Sequence, residues 1–221
     1  MTQDVPPGVV VLVSGSGTNL KALIDASASG TLPARIAGVL SDRADARGLE
    51  RARDAGIATR HVPVEAYASR SNWETALADA IVEAAGGPAP AAVVLAGFMR
   101  VLRGAVLRRF DGVTLNIHPS LLPKYRGLDT HARAIAAGDR VHGATVHFVT
   151  EELDAGPPVI QYRVPILADD TPAILAARVL RGEHRILPQA VAWLVTGRLR
   201  LEGGEVMLDG RRLDAPVVLE D

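Results

Sequence analysis

The stretch that decides the fold is Val9-Val10-Val11-Leu12-Val13-Ser14-Gly15-Ser16-Gly17-Thr18-Asn19-Leu20. Its five aliphatic residues without polar alternation are typical of a strand that is covered on both faces. A glycine loop follows (residues 14–19), and apolar residues then recur at helical spacing from Leu20 through Leu23 and Ile24. A buried strand, a tight turn and a helix in this order predict the first βα unit of a parallel sheet.

Strands and helices alternate along the first half of the chain. Aliphatic runs predict four more strands, at residues 36–40, 59–64, 92–95 and 113–117. Helical periodicity predicts helices at 49–55 and 73–85. Farther on, strands at 145–150 and 159–166 follow each other without a helix between them. We therefore predict an α/β fold with a Rossmann-like, mostly parallel sheet, helices on both faces and an antiparallel C-terminal extension.

The C-terminal part carries a helix start and a hairpin. Thr171 and Pro172 fit the cap and first turn of a long helix, with a kink or break expected near Gly182 and Pro188. The polar segment 205–213 predicts a hairpin, because its central Asp-Gly pair is a favoured two-residue turn.

Composition excludes several classes of function. The 221 residues, 48% of them hydrophobic, can bury the core of a single domain over residues 1–221. With 24 basic and 25 acidic residues the formal net charge is -1, so no nucleic-acid or membrane partner is expected. Cysteine is absent and the six histidines show no metal-ligand spacing, so neither disulfides nor a metal site are expected. Since Met1 to Asp4 lack a basic leader and no apolar run could span a bilayer, we expect a cytoplasmic protein.

A second informative segment is Leu115-Asn116-Ile117-His118-Pro119-Ser120-Leu121-Leu122-Pro123. Residues i and i+2 of a strand point to the same face, so Asn116 and His118 should project together from a strand end, where open α/β sheets bind ligands. An amide can polarise a carbonyl group and an imidazole can move a proton, which suits acyl-group chemistry. The alternatives are a strand terminator for Asn116 and a histidine hydrogen-bonded within the core for His118.

The glycine loop fits an anion-binding site. Glycines let backbone N–H groups approach an anion at a helix N-terminus, and Thr18 and Asn19 suit a single terminal phosphate. A dinucleotide site with Asp42 as ribose acceptor is one alternative, but Leu20 stands where the third glycine of that fingerprint belongs. An ordinary strand–helix turn, with Thr18 or Asn19 capping the helix, is the other.

Two further loops carry candidate residues. Asp154, in Leu153-Asp154-Ala155-Gly156-Pro157, is either a turn residue or a carboxylate that stabilises the charged imidazole of His118. Residues 96–102, Ala-Gly-Phe-Met-Arg-Val-Leu, follow the fourth strand and are either core or an apolar slot for a flat heteroaromatic ligand. The spacing in the sequence does not decide whether Asp154 contacts His118.

Together these segments resemble the glycinamide ribonucleotide formyltransferases, the folate-dependent enzymes of purine synthesis. The matching pieces occur in one order along nearly the whole chain, at residues 13–20, 48–52, 95–100, 116–123 and 147–154. The block Asn-Ile-His-Pro-Ser-Leu-Leu-Pro is shared with related formyl transferases, and the glycine loop narrows the match to the ribonucleotide branch or the folate deformylases. The resemblance implies an enzyme with a formyltransferase fold that uses 10-formyltetrahydrofolate as formyl donor and no metal.

The resemblance also implies roles for individual residues. Asn116, His118 and Asp154 would form the catalytic trio. The substrate phosphate would be bound by Gly17, Thr18 and Asn19, and the ribose hydroxyls by Glu183. The residues that would lie against 10-formyltetrahydrofolate are Arg70, Met99, Arg100, Val101, Leu102, Leu107 and Asn116. On this interpretation residues 1–117 form an N-terminal phosphate-binding half, and residues 118–221 form a C-terminal half with catalytic and folate loops.

The implied reaction is a direct formyl transfer without a covalent enzyme intermediate. The glycyl amine of glycinamide ribonucleotide would attack the formyl carbon, and Asn116 and protonated His118 would stabilise the tetrahedral oxyanion. Asp154 would favour the charged imidazole. The expected partners are these two small molecules, and a homodimer is compatible with the sequence.

Three positions depart from the usual family pattern. Arg126 and Asp129 stand where proline and histidine are common, and Ala155 stands where glycine is frequent, which is expected to restrict the Asp154 loop. The nearest rival function is that of formyltetrahydrofolate deformylase, a hydrolase that usually carries an N-terminal regulatory domain, whereas only eight residues precede Val9 here. A methionyl-tRNA formyltransferase would need a C-terminal RNA-binding domain. An NAD-dependent enzyme or a nucleotide-binding module would use the glycine loop alone.

Overall fold

The computed structural model describes residues 5–87 and 89–220, and the N-terminal segment Met1 to Asp4, on which the expectation of no leader depends, lies outside them. The strands are β1 (Gly8–Val13), β2 (Arg35–Ser41), β3 (Thr59–His61), β4 (Ala92–Leu95), β5 (Thr114–His118), β6 (Val141–Phe148), β7 (Pro158–Pro165), β8 (Leu199–Glu202), β9 (Glu205–Leu208), β10 (Arg211–Arg212) and β11 (Val217–Glu220). The helices are α1 (Thr18–Ala28), α2 (Arg47–Asp54), α3 (Arg70–Ala85), α4 (Gly104–Arg109), α5 (Thr130–Ala136) and α6 (Pro172–Val195).

The main sheet has the strand order β11-β7-β6-β5-β4-β1-β2-β3. Strand β6 pairs antiparallel with both of its neighbours, β5 and β7, whereas the other pairs in this sheet are parallel. The predicted mostly parallel sheet with an antiparallel extension is therefore confirmed. Since the chain moves from β1 to β2 on one side and places β4 on the other, a crevice is expected at the carboxyl ends of β1 and β4.

Both faces of the sheet are covered, as the uninterrupted aliphatic run of β1 predicts. Val9, Val11 and Val13 pack with apolar residues of α1 and α6, and we call this side the α1/α6 face. Val10 and Leu12 point the other way and pack with α3 and α4, on the α3/α4 face. Successive residues of a strand alternate between faces, so each face receives every second residue of β1.

Two predictions about the fold are wrong. The third strand ends at His61, and Val64–Ala66 form a 3-10 turn, because Pro63 has no N–H to continue the ladder. The predicted break in α6 is wrong, because the helix is continuous over 24 residues through Gly182 and Pro188, whereas a kink at these residues stays a prediction. A Cβ at Gly182 would lie 2.0 Å from the ring of Tyr162, so this glycine admits the tyrosine against the helix instead of ending it.

The sequence patterns also missed α4, α5 and β11, which have six, seven and four residues. Segments of this length show no clear period, and β11 forms by pairing parallel with β7. The predicted C-terminal hairpin is confirmed, since β8, β9 and β10 form a small antiparallel sheet whose second turn is at Asp209 and Gly210. Within the described residues, no helix has the length and apolar character needed to cross a membrane.

Candidate active site

A cavity of about 690 Å³ opens at the carboxyl edge of the main sheet. Its walls are the glycine loop after β1, residues 96–101 after β4, and the end of β5. The side chains that reach it include Asn19 and Glu183 from the α1/α6 face, and Asn116, His118 and Asp154 from the other face. The cavity therefore crosses the strand ends from one face of the sheet to the other, and joins the predicted phosphate-binding and catalytic residues.

The glycine loop is shaped by close packing on α2. Gly17 is left-handed, with φ of 68°, and a Cβ on it would lie 2.5 Å from Cα of Gly48. The N–H of Gly48 donates to the carbonyl oxygen of Gly15 at 3.0 Å, and Nε of Arg51 donates to that of Ser16 at 2.8 Å. Glycine is required at position 17 because both the backbone angle and the contact exclude a side chain.

The loop leaves the N-terminus of α1 open to the cavity. Gly17 is the N-cap residue, and no side chain of the described residues caps the first turn, so the alternative of a turn capped by Thr18 or Asn19 is wrong. The first N–H groups of a helix have no partner within the helix and carry a partial positive charge. An open N-terminus of this kind is suited to bind an anionic group of a ligand.

Asn19 and Glu183 join α1 to α6 beside this N-terminus. Nδ2 of Asn19 donates to Oε2 of Glu183 at 2.6 Å, and both side chains are buried. Burial raises the pKa of Glu183, and the hydrogen bond from Asn19 opposes this change. The buried Oδ1 atom of Asn19 has no hydrogen-bond partner among the described residues. The pair therefore offers oxygen acceptors to hydroxyl groups of a ligand next to an anion site.

Asn116 is oriented by a histidine that the sequence patterns missed. His147 lies directly opposite Asn116 in the β5–β6 pair, with 3.0 Å between Nδ2 of Asn116 and Nε2 of His147. Nδ1 of His147 is 2.8 Å from the carbonyl oxygen of Phe148, which can only accept, so Nδ1 carries the proton. Burial lowers the pKa of His147 to about 4, so the ring is neutral near pH 7 and Nε2 accepts from Asn116. The second N–H of the amide is left for a ligand.

His118 lies on the same face as Asn116, as the strand pattern predicts, because Leu115 and Ile117 pack into the α1/α6 core. Nδ1 of His118 is 3.3 Å from Oδ2 of Asp154, and Nε2 is 2.9 Å from the carbonyl oxygen of Tyr125. Both partners can accept hydrogen bonds. The contact with Tyr125 is a hydrogen bond, and the contact with Asp154 lies within ion-pair distance. The contact between His118 and Asp154, which the sequence left open, is present.

Asp154 belongs to a loop that folds back over the α3/α4 face of β5 and β6. Its φ of 49° is uncommon for a residue with a side chain, and such angles are often found at functional sites. Oδ2 accepts from the N–H of Gly127 at 2.9 Å, and Oδ1 lies 3.8 Å from Nε2 of His147. The carboxylate therefore contacts two other segments and does more than shape its own turn.

Residues 96–102 serve both as core and as cavity wall. Phe98 and Leu102 are buried on the α3/α4 face, whereas the side chain of Met99 is 68% exposed at the cavity. The far end of the segment is supported by buried Glu74, whose Oε1 accepts from the N–H of Arg103 at 3.1 Å. Arg70 bonds to the same carboxylate and donates to the carbonyl oxygen of Val101.

The structure brings most of the predicted folate residues to the cavity. Met99, Arg100, Val101 and Asn116 line it, and Leu102 lines an adjoining recess of about 60 Å³. Arg70 and Leu107 line neither space. Arg70 supports Val101 from α3, and Leu107 packs in the core of the α3/α4 face. A contact between folate and these two residues stays a prediction.

The positions that depart from the family pattern are accommodated locally. Arg126 forms an exposed ion pair of 2.6 Å with Glu152 and so links its loop to the Asp154 loop. Asp129 is left-handed at the start of α5. Ala155 is not among the residues with positive φ, whereas a Cβ at Gly156 would lie 1.8 Å from the carbonyl oxygen of Phe148. The position of this loop that requires glycine is therefore 156, and Ala155 imposes no such restriction.

One alternative from the sequence, a dinucleotide site, can be compared with the structure. Asp42, the ribose acceptor of a dinucleotide site, has a side chain that is only 1% exposed and is bonded to Ser14 and Arg100. Its oxygens are therefore not available to a ribose hydroxyl. Among the described residues, no group of three or more histidine, aspartate or glutamate side chains is arranged to hold a metal ion.

Comparisons with known proteins agree with this geometry. Residues 8–191 match a family model described as formyl transferase. The chain is 47% identical to phosphoribosylglycinamide formyltransferase of Escherichia coli, over 93% of this chain and 95% of that one. A solved phosphoribosylglycinamide formyltransferase of Coxiella burnetii superposes with a TM-score of 0.91 at 46% identity, covering 97% of this chain and 99% of that one. A formyltetrahydrofolate deformylase of Burkholderia mallei is less similar, with a TM-score of 0.80 at 29% identity over 92% of this chain and 70% of that one.

Proposed function

The chain belongs to the formyl transferase family, and on that premise we propose that it transfers the formyl group of 10-formyltetrahydrofolate to the glycyl amine of glycinamide ribonucleotide. The reaction is a step of de novo purine synthesis. The observation that carries the proposal is the single cavity that crosses the sheet edge, because it has an anion site at one end and an acid–amide pair in the middle. A reaction between a phosphorylated amine and a second, larger substrate requires such a continuous space.

The ribonucleotide is bound by the α1/α6 side of the cavity. Its phosphate accepts hydrogen bonds from the N–H groups of Gly17, Thr18 and Asn19 at the open N-terminus of α1. Its ribose hydroxyls bond to Glu183, whose burial and proximity to Asn19 support this role. The glycyl amine then extends along the cavity toward Asn116 and His118.

The folate is bound by the α3/α4 side. Residues 96–102 offer the combination that a flat heteroaromatic ring with polar edges needs, namely apolar side chains and backbone groups between them. The formyl group of 10-formyltetrahydrofolate then lies between Asn116, His118 and the ribonucleotide amine. No described residue would have to form a covalent bond to either substrate.

The chemical step needs charge stabilisation and proton transfer. The amine nitrogen attacks the formyl carbon, a C–N bond forms, and the carbonyl electron pair moves to oxygen. The free N–H of Asn116 and an N–H of His118 donate to that oxyanion. For this, Nε2 of His118 exchanges its present acceptor, the Tyr125 carbonyl, for the formyl oxygen. Asp154 places a carboxylate beside Nδ1 of the imidazole and so orients the ring toward the formyl oxygen.

The intermediate then collapses. The bond between the formyl carbon and N10 of the folate breaks, the carbonyl forms again, and the amine loses a proton while N10 gains one. The products are the formylated ribonucleotide and tetrahydrofolate, so atoms and charges balance without an oxidant or reductant. His118 and Asp154 are the ionisable groups nearest to this proton movement.

Hydrolysis of the same folate is the competing reaction, with water in place of the amine. The comparisons favour the transferase, because the relatives with 46–47% identity are phosphoribosylglycinamide formyltransferases, whereas the deformylase is 29% identical. The test follows folate release by absorbance, with and without glycinamide ribonucleotide. We expect turnover only when the ribonucleotide is present. Equal turnover in its absence would identify a deformylase, and tight NAD binding without turnover would reject the proposal.

A further inference from the structure

Asp42, at the end of β2, is a buried acid that the proposed reaction does not use. Its side chain is 1% exposed, and its two oxygens have different partners. Oδ1 accepts from the hydroxyl of Ser14 at 2.6 Å, and Oδ2 accepts from Nε of Arg100 at 2.6 Å. A carboxylate that is removed from water needs such donors, so the three residues form one unit.

The unit extends into the backbone of residues 96–102. The hydroxyl oxygen of Ser14 accepts from the N–H of Met99 at 2.8 Å, and the N–H of Ser14 donates to the carbonyl oxygen of Gly97 at 3.1 Å. Together with the Arg100–Asp42 ion pair, these bonds attach three of four consecutive residues to the ends of β1 and β2. The loop after β4 is therefore fixed by hydrogen bonds and not by apolar packing alone.

The positions of the side chains on this loop depend on these hydrogen bonds. Met99 is 68% exposed and Arg100 is exposed as well, so few protein atoms cover either side chain. Both line the cavity on the side assigned above to folate. Their position toward a ligand is therefore set mainly by the backbone angles of residues 97–100, which the bonds to Ser14 and Asp42 restrict.

We propose that Asp42 is a positioning residue for folate binding, acting through Ser14 and Arg100. The inference rests on the proposed function, because it takes the 96–102 side of the cavity as the folate side. Asp42 does not touch a substrate, since both of its oxygens are engaged and its side chain is buried. It holds the folate-binding backbone in the shape that the ligand needs, so its loss weakens folate binding in particular.

The test compares four single variants. Asp42→Ala removes both acceptors. Asp42→Asn keeps a hydrogen-bonding side chain of the same size but removes the charge that faces Arg100. Ser14→Ala keeps the ion pair and removes the acceptor for Met99 N–H. The matched control is Asp45→Ala, three residues along, where an exposed aspartate also pairs with an arginine, Arg43.

Three quantities are measured for each variant. They are the dissociation constant of 10-formyltetrahydrofolate without ribonucleotide, by calorimetry, the KM of each substrate, and kcat. For Asp42→Ala we expect the folate constant and the folate KM to rise about tenfold. The ribonucleotide KM should stay within about twofold and kcat at saturating folate within about threefold. Asp42→Asn and Ser14→Ala should show smaller rises of the same kind, and Asp45→Ala should match the wild type.

Several outcomes would overturn the proposal. A rise in the ribonucleotide KM alone would assign Asp42 to the other substrate. Equal rises in both KM values, or no rise in folate binding, would leave Asp42 a purely structural residue. If Asp42→Ala fails to fold, Asp42→Asn and Ser14→Ala decide the question by the same comparison of the folate KM with the ribonucleotide KM. Wild-type protein that binds folate but does not formylate the ribonucleotide would refute the proposed reaction and not the positioning role. Wild-type protein that binds no folate would refute both.

Discussion

The two faces of the sheet contribute to the cavity in different ways. On the α1/α6 face the contacts offered to a ligand are mainly backbone N–H groups at the start of α1, supported by Asn19 and Glu183. On the α3/α4 face they are the ionisable and amide side chains of Asn116, His118 and Asp154, each held by a second protein group. In the proposed reaction, the first side binds the fixed charge of the phosphate, and the second stabilises the charge that develops on the formyl oxygen.

The difference follows from sheet geometry. In a parallel sheet, the loop after a strand leads to the N-terminus of a helix. The backbone N–H groups there can bind an anion, so this property depends little on the side chains. The antiparallel β5–β6 pair instead places side chains of two strands directly opposite each other, as it does Asn116 and His147. We therefore expect changes on the first face to alter ribonucleotide affinity, and changes of Asn116, His118 or Asp154 on the second face to alter turnover.

The largest effect is expected from His118→Ala, which removes one of the two groups that donate to the oxyanion. We expect kcat to fall about 10³-fold, because a positioned acid or base contributes on this order. Binding of glycinamide ribonucleotide, measured by calorimetry, should stay within about twofold of the wild type. His61→Ala, at the exposed end of β3, is the control. A variant with intact kcat and lost ribonucleotide binding would remove the distinction between the faces.

Asp154→Asn keeps an acceptor for the N–H of Gly127 but removes the negative charge beside His118. We expect kcat to fall about 10²-fold, because the imidazole that stabilises the oxyanion loses the negative charge facing its Nδ1. Steady-state kinetics at saturating substrates measure this change. Glu152→Gln, an exposed acid two residues earlier, should leave kcat within about twofold. Equal losses in both variants would point to a disturbed loop and not to a charge effect.

The lowered pKa of His147 leads to a prediction of how the free energy of unfolding changes with pH. Its pKa is lowered by burial to about 4 from an ordinary 6.5, so the unfolded chain binds more protons between these values. The stabilisation of the neutral ring is complete above pH 6.5 and is lost as the pH falls through 4, by about 3 kcal/mol. Chemical denaturation at pH 7 and pH 4 measures the total change in the free energy of unfolding, of which His147 contributes this part.

In His147→Gln the same fall should be smaller by about 3 kcal/mol, because glutamine does not titrate in this range. His142 contributes a parallel term in both proteins, since burial lowers its pKa to about 4 as well. His61→Gln is the control and should keep the full wild-type dependence. An unchanged pH dependence in His147→Gln would mean that this ring is not held neutral.

The smallest effect is expected on the binding face. Asn19→Ala removes the donor to Glu183 and one acceptor at the anion site. We expect the ribonucleotide KM to rise about tenfold, because Glu183 loses its hydrogen-bond donor and the ribose hydroxyls lose one acceptor, with kcat within about threefold. The inhibition constant of inorganic phosphate should stay within about twofold, because the backbone N–H groups of the loop remain. Asn72→Ala, on the exposed surface of α3, is the control. A loss of kcat with an unchanged ribonucleotide KM would place Asn19 in the chemical step.

The elements that the sequence predicted well are those whose signal is local. The aliphatic runs at β1, β4 and β5 and the Thr171-Pro172 start of α6 carry their own pattern, and the structure confirms them. Helices α4 and α5 and strand β11 were missed, because their stability depends on packing and pairing and not on a period of their own. The predicted break at Gly182 was wrong for the same reason, because this glycine is required by its close contact with the ring of Tyr162.

The candidate site also contains residues that the sequence predicted and residues that it missed. Asn116 and His118 could be paired from the sequence, because a strand places every second residue on one face. His147 could not be found, since its place opposite Asn116 depends on the register of an antiparallel pair. The role of Asp42 was equally hidden, because its partners Ser14 and Arg100 lie 28 and 58 residues away.

The sequence by itself determined the sheet, the glycine loop, the Asn116–His118 pair and the family. These depend on local periodicity and on short motifs, which are properties of neighbouring residues. Only the tertiary structure decided that Asp154 reaches His118, that His147 orients Asn116, and that one cavity joins both faces. The physical reason is that these contacts join segments far apart in the chain, whose meeting is fixed by strand order, register and the packing of two cores.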